Sequence, residues 1–279
     1  MIQSSPRSSL SANYYLAPAG YSVGDFMQEA KHAGAAAVGL TIAALESNCP
    51  DGLARLADDH GLHISSLNSA GYFLFADAAK REQQRALNSR LIEAAARMEA
   101  GWLVVIAGGI LGSGLALEAA RAHVAEQLAA LDAEAGAANV RLALEPIHPA
   151  DLTGKGCVNS IRQALDMVRH LPHTGILIDA FHSYWDPDIW SGSVLSDPKL
   201  ALVQVCDWYE PSADEKPQRT LPGHGHMDVP GWLAALERHG FRGPIEFEMF
   251  DRYRGGRAVG EILTEALGYL RIQRNIVNS

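Results

Sequence analysis

Four short apolar runs in the second half of the chain each end in a hard oxygen donor. They are Leu142-Ala143-Leu144-Glu145, Ile176-Leu177-Ile178-Asp179, Leu202-Val203-Gln204 and Ile245-Glu246-Phe247-Glu248. Apolar runs of this length between turn signals read as buried strands. A carboxylate or amide at the end of such a strand needs a partner, because burying it alone costs on the order of several kcal/mol. Each one alone suits a helix cap or a salt bridge equally well. Four strands ending alike favour one divalent cation shared among them. An oxygen-rich set suits Mg²⁺, Mn²⁺ or Co²⁺ better than a thiophilic metal. No Cys/His cluster has structural-zinc spacing, and His224 and His226 have no third histidine at ligand distance along the chain.

The elements that must position these residues alternate from end to end. Strand-like stretches at 9–15, 36–42, 63–67, 102–107, 140–145, 174–179, 201–206 and 244–250 are separated by helix-like ones. The helical stretches are 23–33, 52–60, 77–99, 115–135, 160–170, 187–190, 230–239 and 260–271, several stopping at a glycine. Roughly eight βα units in one chain of this length predict an α/β fold, a (β/α)8 TIM barrel occupying residues 1–279 as a single domain. An open doubly wound sheet is the competing arrangement. In a barrel the four donors gather at the C-terminal mouth, with Glu145, Asp179 and Gln204 on successive strands and Glu248 on the last. The longest stretch without periodicity, 209–228, predicts a functional loop.

Composition sets the outer limits. The formal charge of −9 and the lack of a long Lys/Arg block argue against a general nucleic-acid binder. Three cysteines without CxxC spacing predict reduced thiols and a cytoplasmic protein. Met1 to Ser11 carries no apolar run of signal-peptide or membrane-span length, so no membrane partner is expected. The glycine loop Gly108-Gly109-Ile110-Leu111-Gly112-Ser113-Gly114 lacks both the GKS/GKT ending and Rossmann spacing, and reads as a turn. Asp251-Arg252-Tyr253-Arg254-Gly255-Gly256-Arg257 permits a phosphorylated or carboxylated ligand, although a solvated charge run is the commoner reading. Tyr72, Phe73, Trp185, Trp208 and Tyr209 are candidate stacking surfaces for a sugar or cyclohexane ring.

Five segments together resemble the xylose-isomerase-like TIM-barrel superfamily of sugar isomerases and epimerases, inosose and 3-dehydroshikimate dehydratases, and endonuclease IV. They are Leu-Ala-Leu-Glu145-Pro, Ile-Asp179-Ala-Phe-His182, Val-Gln204-Val-Cys-Asp207, Arg219-Thr-Leu-Pro-Gly-His-Gly225, and Gly240-Phe-Arg-Gly-Pro-Ile-Glu-Phe-Glu248-Met-Phe. The resemblance implies that Glu145, Asp179, Gln204 and Glu248 hold one divalent cation (Mn²⁺, Mg²⁺ or Co²⁺). It also implies that Glu145 and Glu248 move protons while His182 and Arg219 contact substrate. Many isomerases and epimerases of the superfamily carry His at the Gln204 position, and Gln there resembles some of the dehydratases. Strand alternation puts Glu246 and Glu248 on the same face, so spacing leaves both open. Glu248 is taken as the ligand from its place before Met249-Phe250.

A cation so held would polarise a substrate carbonyl and acidify the neighbouring C–H. Returning the proton to the other face gives epimerisation, and returning it to the neighbouring carbon gives isomerisation. Expelling a β-hydroxyl gives dehydration. The expectation is therefore a metal-dependent sugar or keto-polyol isomerase/epimerase. Its alternative is a dehydratase or lyase acting on a keto-cyclitol, keto-sugar or 3-dehydroshikimate-like acid. A non-catalytic barrel subunit is the reading from another class. The expected partner is a small polyol or keto acid, with homo-oligomerisation left open. Endonuclease activity is disfavoured for want of a histidine-rich multi-metal site and a basic face.

Overall fold

Each strand-like stretch forms a strand, and the last pairs with the first. The strands are β1 (Leu10–Asn13), β2 (Ala37–Thr41), β3 (His63–Gly71), β4 (Trp102–Ile106), β5 (Leu142–Glu145), β6 (Thr174–Asp179), β7 (Leu200–Val205), β8 (Asp207–Tyr209), β9 (Gln218–Thr220) and β10 (Ile245–Phe247). All but β8 and β9 close in the order β1-β10-β7-β6-β5-β4-β3-β2, each pair parallel. This is a (β/α)8 barrel. The computed structural model describes residues 8–212 and 215–276. Most of the Met1 to Ser11 stretch, read above as lacking a signal peptide, lies outside the described residues.

The helices are α1 (Val23–His32), α2 (Ile42–Glu46), α3 (Pro50–Asp59), α4 (Ala78–Arg97), α5 (Leu117–Ala137), α6 (Ile161–Val168), α7 (Ala180–Ser183), α8 (Gly192–Leu195), α9 (Val229–Arg238) and α10 (Val259–Ile276). Their starts are written locally. Ser22, Asp77, Ser160 and Asp228 each accept a hydrogen bond from the backbone N–H three residues on, satisfying an orphan donor of the first turn. Apolar faces of these helices, among them Phe26, Leu53, Leu91, Leu128, Trp232 and Leu263, are buried in one cluster with outward-facing strand residues. Each such side chain contributes about 1.5–3 kcal/mol on burial. Among the described residues no helix is long and apolar enough to cross a membrane.

The barrel interior divides into two kinds of lining. Val104, Ala143, Leu177, Ala201 and Leu202 form an apolar cluster across β4 to β7. Elsewhere the lining is polar: Ser11, Asn13, Ser66, Asn68, Gln204 and Glu246 are all buried. One row of cross-strand partners runs Asp179, Gln204, Glu246, Ser11 through β6, β7, β10 and β1. In a parallel sheet, residues paired in this way share a face.

The described residues of the 209–228 stretch include a strand that the sequence does not signal. Tyr209 ends β8, whose antiparallel partner β9 lies within the stretch, pairing Trp208 with Arg219. Arg219 therefore sits on a short strand. Short hairpins of this kind lack the period-2 length needed to register as strands in sequence.

Candidate active site at the barrel mouth

Glu145 is the last residue of β5 and Asp179 the last of β6, while His182 follows within the single-turn helix α7. Asp179 caps that helix by accepting from the Phe181 N–H at 2.9 Å, which turns His182 back over the strand ends. Ligand-type atoms of Glu145, Asp179 and His182 all lie within 4.8 Å of one another, with all three residues buried. Nε2 of His182 is 3.8 Å from Glu145 Oε1 and 3.9 Å from Asp179 Oδ2.

Glu248 lies one residue beyond the end of β10 and is 3% exposed. It joins the cluster through Arg219, whose Nη2 is 3.2 Å from Glu248 Oε1 and also pairs with Asp179 Oδ2. Arg219 Nη1 lies 3.3 Å from Asp179 Oδ1, and the guanidinium is stacked near the rings of Phe181 and Phe250. The sequence places Arg219 in a loop; the structure puts it on β9, as a buried counter-ion to two of the clustered carboxylates that also lines the cavity outside them.

Gln204 and Glu246 occupy the layer below. Gln204 Nε2 donates to Glu246 Oε1 at 2.9 Å and approaches Asn68 Oδ1 at 3.5 Å. Gln204 Oε1 is buried with no hydrogen-bond partner among the described residues. The Glu246 carboxylate also accepts from Ser11, Ser65 and Ser66 hydroxyls and from Asn13 Nδ2 at 2.7 Å. Glu246 lies within β10 and Glu248 beyond its end, and two residues of extended chain carry Glu248 about 6.6 Å further toward the mouth. Glu246 is already satisfied by neutral donors. Glu248 faces the charged cluster.

Burial dominates the electrostatics. It pushes Glu145 up to about 7, helped by the charges of Asp179 and Glu246 and opposed by Lys155 and Arg219. Burial likewise raises Glu248 well above the ordinary glutamate value, and Asp179 and Glu145 add to it despite the nearby guanidinium. His182 is driven well below the usual histidine range, first by burial and then by Lys155, Arg219 and His148. A neutral imidazole can accept from the Lys155 ammonium, whose Nζ lies 2.9 Å from Nε2.

This donor set fits a hard divalent cation. Gln204, the cross-strand partner of Asp179, carries a buried amide oxygen that lacks a partner among the described residues, and buried amides are rarely left so. Glu145, Asp179 and His182 form a group that could hold such an ion, and Gln204 and Glu248 are the further oxygen donors that the sequence offers to it.

Two openings flank the cluster. One, of about 800 Å³, is lined by Tyr15, Thr41, Asn68, Ser69 and Tyr72 among others. The second, of about 600 Å³, is lined by Lys155, Lys216, Arg219 and Arg252 against Asp151 and Glu215. Lys216 pairs with Asp151 at 3.2 Å, whereas Lys155 and Arg252 form no salt bridge among the described residues. Of the arginines after β10, only Arg252 lines this cavity. Arg254 pairs with Asp251, and Arg257 with Glu265. Tyr184 stacks on Trp208 with centroids 4.0 Å apart, so that aromatic is taken up by packing.

Sequence reasoning missed Lys155 and Tyr15. A lone lysine in a Thr-Gly-Lys-Gly turn gives no periodic signal, and Tyr15 reads as part of a first strand when it belongs to the 3₁₀ turn after β1. Asp207, in contrast, explains why two of the motif segments go together. Its carboxylate accepts from the N–H groups of Gly223, Gly225 and Met227 at 2.9–3.1 Å, tying the Pro-Gly-His-Gly loop to the start of β8. Gly225 is needed there, since a Cβ would stand 2.2 Å from the Trp208 carbonyl oxygen.

A parallel eight-strand barrel with a buried acidic, histidine-bearing cluster at the ends of β5 and β6 is a TIM barrel with a candidate metal site at its mouth. The chain belongs to the xylose isomerase-like TIM barrel family, whose profile matches residues 27–273. Among curated proteins it is similar to a 3-dehydroshikimate dehydratase of Pseudomonas putida, 30% identical over 107 residues. That match covers 34% of this chain and only 16% of the relative's length. A solved Sinorhizobium meliloti protein superposes with a TM-score of 0.84 at 29% identity, covering 95% of this chain and 98% of its own. The structure of the IolI protein with a bound zinc atom superposes at 0.79 with 18% identity, covering 96% and 99%, a likeness of fold.

Proposed function

We infer that this chain is a divalent-cation-dependent enzyme that removes a proton from the carbon beside a carbonyl in a small anionic, polyhydroxylated substrate. In the most specific form of this reading it expels a β-hydroxyl, as a dehydratase of 3-dehydroshikimate-like keto acids. The observation that carries it is the cavity of about 600 Å³ beside His182 and Arg219, lined by Lys155 and Arg252, neither of which forms a salt bridge among the described residues. A neutral sugar has no use for two such cations, while a carboxylate or phosphate pairs with both. The dehydratase relative and the amide at Gln204 support the same choice.

When bound, the cation supplies Lewis-acid polarisation of the substrate carbonyl. The chain does the rest. Lys155 and Arg252 hold the anionic end and so orient the reacting carbon toward Glu145 and Glu248. One of these carboxylates takes the proton, and the other returns one to the departing hydroxyl, which leaves as water. His182, kept neutral by burial, stands with Nε2 2.9 Å from the Lys155 ammonium at the cavity wall. The buried cluster keeps bulk water away from the proton transfers. The 1–279 chain is taken as one catalytic unit acting on a small molecule, with no nucleic-acid partner.

A pair of carboxyl groups with raised pKa values also supports epimerisation, since the second can return the proton to carbon in place of oxygen. A panel of keto-polyols and cyclic keto acids in D₂O with Mn²⁺ separates the two by NMR. Dehydration gives an enone or dienol product, whereas epimerisation gives deuterium uptake without loss of water. Neither outcome across both substrate classes, with a metal-loaded chain, ends this reading.

A further inference from the structure

We propose that Glu246 is a positioning residue that locks the Gln204 side-chain amide so that its oxygen, and not its nitrogen, is the atom presented to a cation at the barrel mouth. The inference rests on the reading that Gln204 helps hold that cation. An amide offers two nearly isosteric ends, and only one can ligate a cation. A carboxylate 2.9 Å from one end decides the matter, because Glu246 Oε1 can accept from Nε2 but would repel Oε1. Asn68 Oδ1, 3.5 Å from the same nitrogen, acts in the same sense. The other end, Oε1, is buried and unpartnered.

Glu246 is itself held rigidly for this task. Ser11, Asn13, Ser65 and Ser66 converge on its two oxygens, and Gln204 is its direct cross-strand partner. Gly39 leaves the space it fills, since a Cβ there would lie 2.4 Å from Glu246 Oε2. Four neutral donors stabilise the charge without supplying a counter-cation. The anion therefore stays available to orient the amide and adds negative potential beneath the cluster. Groups that orient a metal ligand in this way typically change metal affinity 10- to 100-fold when removed.

The test is Mn²⁺ binding by the full chain, read as free Mn²⁺ by electron paramagnetic resonance, with thermal melting as the fold control. Glu246→Gln replaces the acceptor by an amide that can donate to Gln204 Oε1 and turn it away. Its Mn²⁺ dissociation constant is expected to rise at least about 10-fold. The exchanged pair, Gln204→Glu with Glu246→Gln, keeps one carboxylate and one amide in the same volume and is expected to recover binding to within a few-fold of the parent. Unchanged Mn²⁺ affinity in folded Glu246→Gln overturns the proposal while leaving the cation site standing. Should that variant fail to fold, a folded exchanged pair that binds no Mn²⁺ overturns it equally. A parent chain that binds no Mn²⁺ overturns both this inference and the reading on which it rests.

Discussion

Arg219 and Glu248 meet at 3.2 Å, both almost wholly out of solvent, with Asp179 on the other side of the same guanidinium. A cationic side chain thus stands among the oxygens that a metal ion would share. Removing one partner of a buried pair leaves a charge uncompensated, at a cost of about 3–5 kcal/mol. Arg219→Ala is therefore expected to lower the unfolding free energy of metal-free protein by an amount approaching that range, with protonation of Glu248 recovering part of it. Saturating Mn²⁺ should restore most of the loss. Denaturant melts with and without Mn²⁺ measure both quantities, and an equal loss under the two conditions would contradict the competition between guanidinium and cation.

Glu248→Gln is expected to reduce turnover by about 10²–10⁴-fold, the usual contribution of a proton-transferring group. The fold should be retained, because the amide still reaches Arg219's surroundings without an added charge. Glu246→Gln should be far milder in kcat once Mn²⁺ is saturating, since its carboxylate lies in the layer below among neutral donors. Steady-state kinetics at high Mn²⁺ distinguish the two. Equal losses in kcat would remove the separation of roles.

Loss of activity on EDTA treatment, with recovery on adding Mn²⁺, Mg²⁺ or Co²⁺, is the direct check on the oxygen-rich donor set. Full turnover by protein shown to be metal-free by elemental analysis would refute it.

The raised Glu145 gives a pH signature. Its folded-state value of about 7 lies above the 4.5 of an unperturbed glutamate, so the folded chain holds this proton more tightly than the unfolded chain does. The resulting stability is fully present below about pH 4.5 and is lost as pH rises to about 7. Metal-free protein should therefore lose melting temperature over that window, and Glu145→Gln should flatten the trend. Mn²⁺ affinity should run the opposite way, weakening as pH falls below 7, because the cation needs the ionised carboxylate. Calorimetric melts and Mn²⁺ titrations across the window read the two slopes.

Lys155→Met should raise KM for an anionic substrate by about 10–100-fold, equivalent to one charge-assisted hydrogen bond. It should leave a neutral analogue much less affected. The same change removes a positive charge beside His182 and should shift its imidazole upward, which NMR titration detects. An identical KM effect on charged and neutral substrates would argue that Lys155 serves the fold alone.

Sequence by itself determined the alternation of strands and helices and where the strands end. Continuous apolar runs alternate with capped helices, and both signals are local, so the positions of Glu145 and Asp179 at strand ends, and of Gln204 one residue before its strand's end, could be read directly. Strand alternation also placed Glu246 and Glu248 on one side. What it could not supply was depth along the barrel axis. Only closure of the sheet brings Ser11, Asn13, Ser65 and Ser66 around Glu246, residues up to 235 positions away in sequence. The same closure leaves Glu248 to Arg219 at the mouth. Arg219's burial, the β8–β9 hairpin that carries it, and the approach of Lys155 to His182 were likewise decided in three dimensions. Contacts between loops that are distant in sequence leave no periodic trace along the chain, and a side chain's partner is fixed only when the backbone around it has closed.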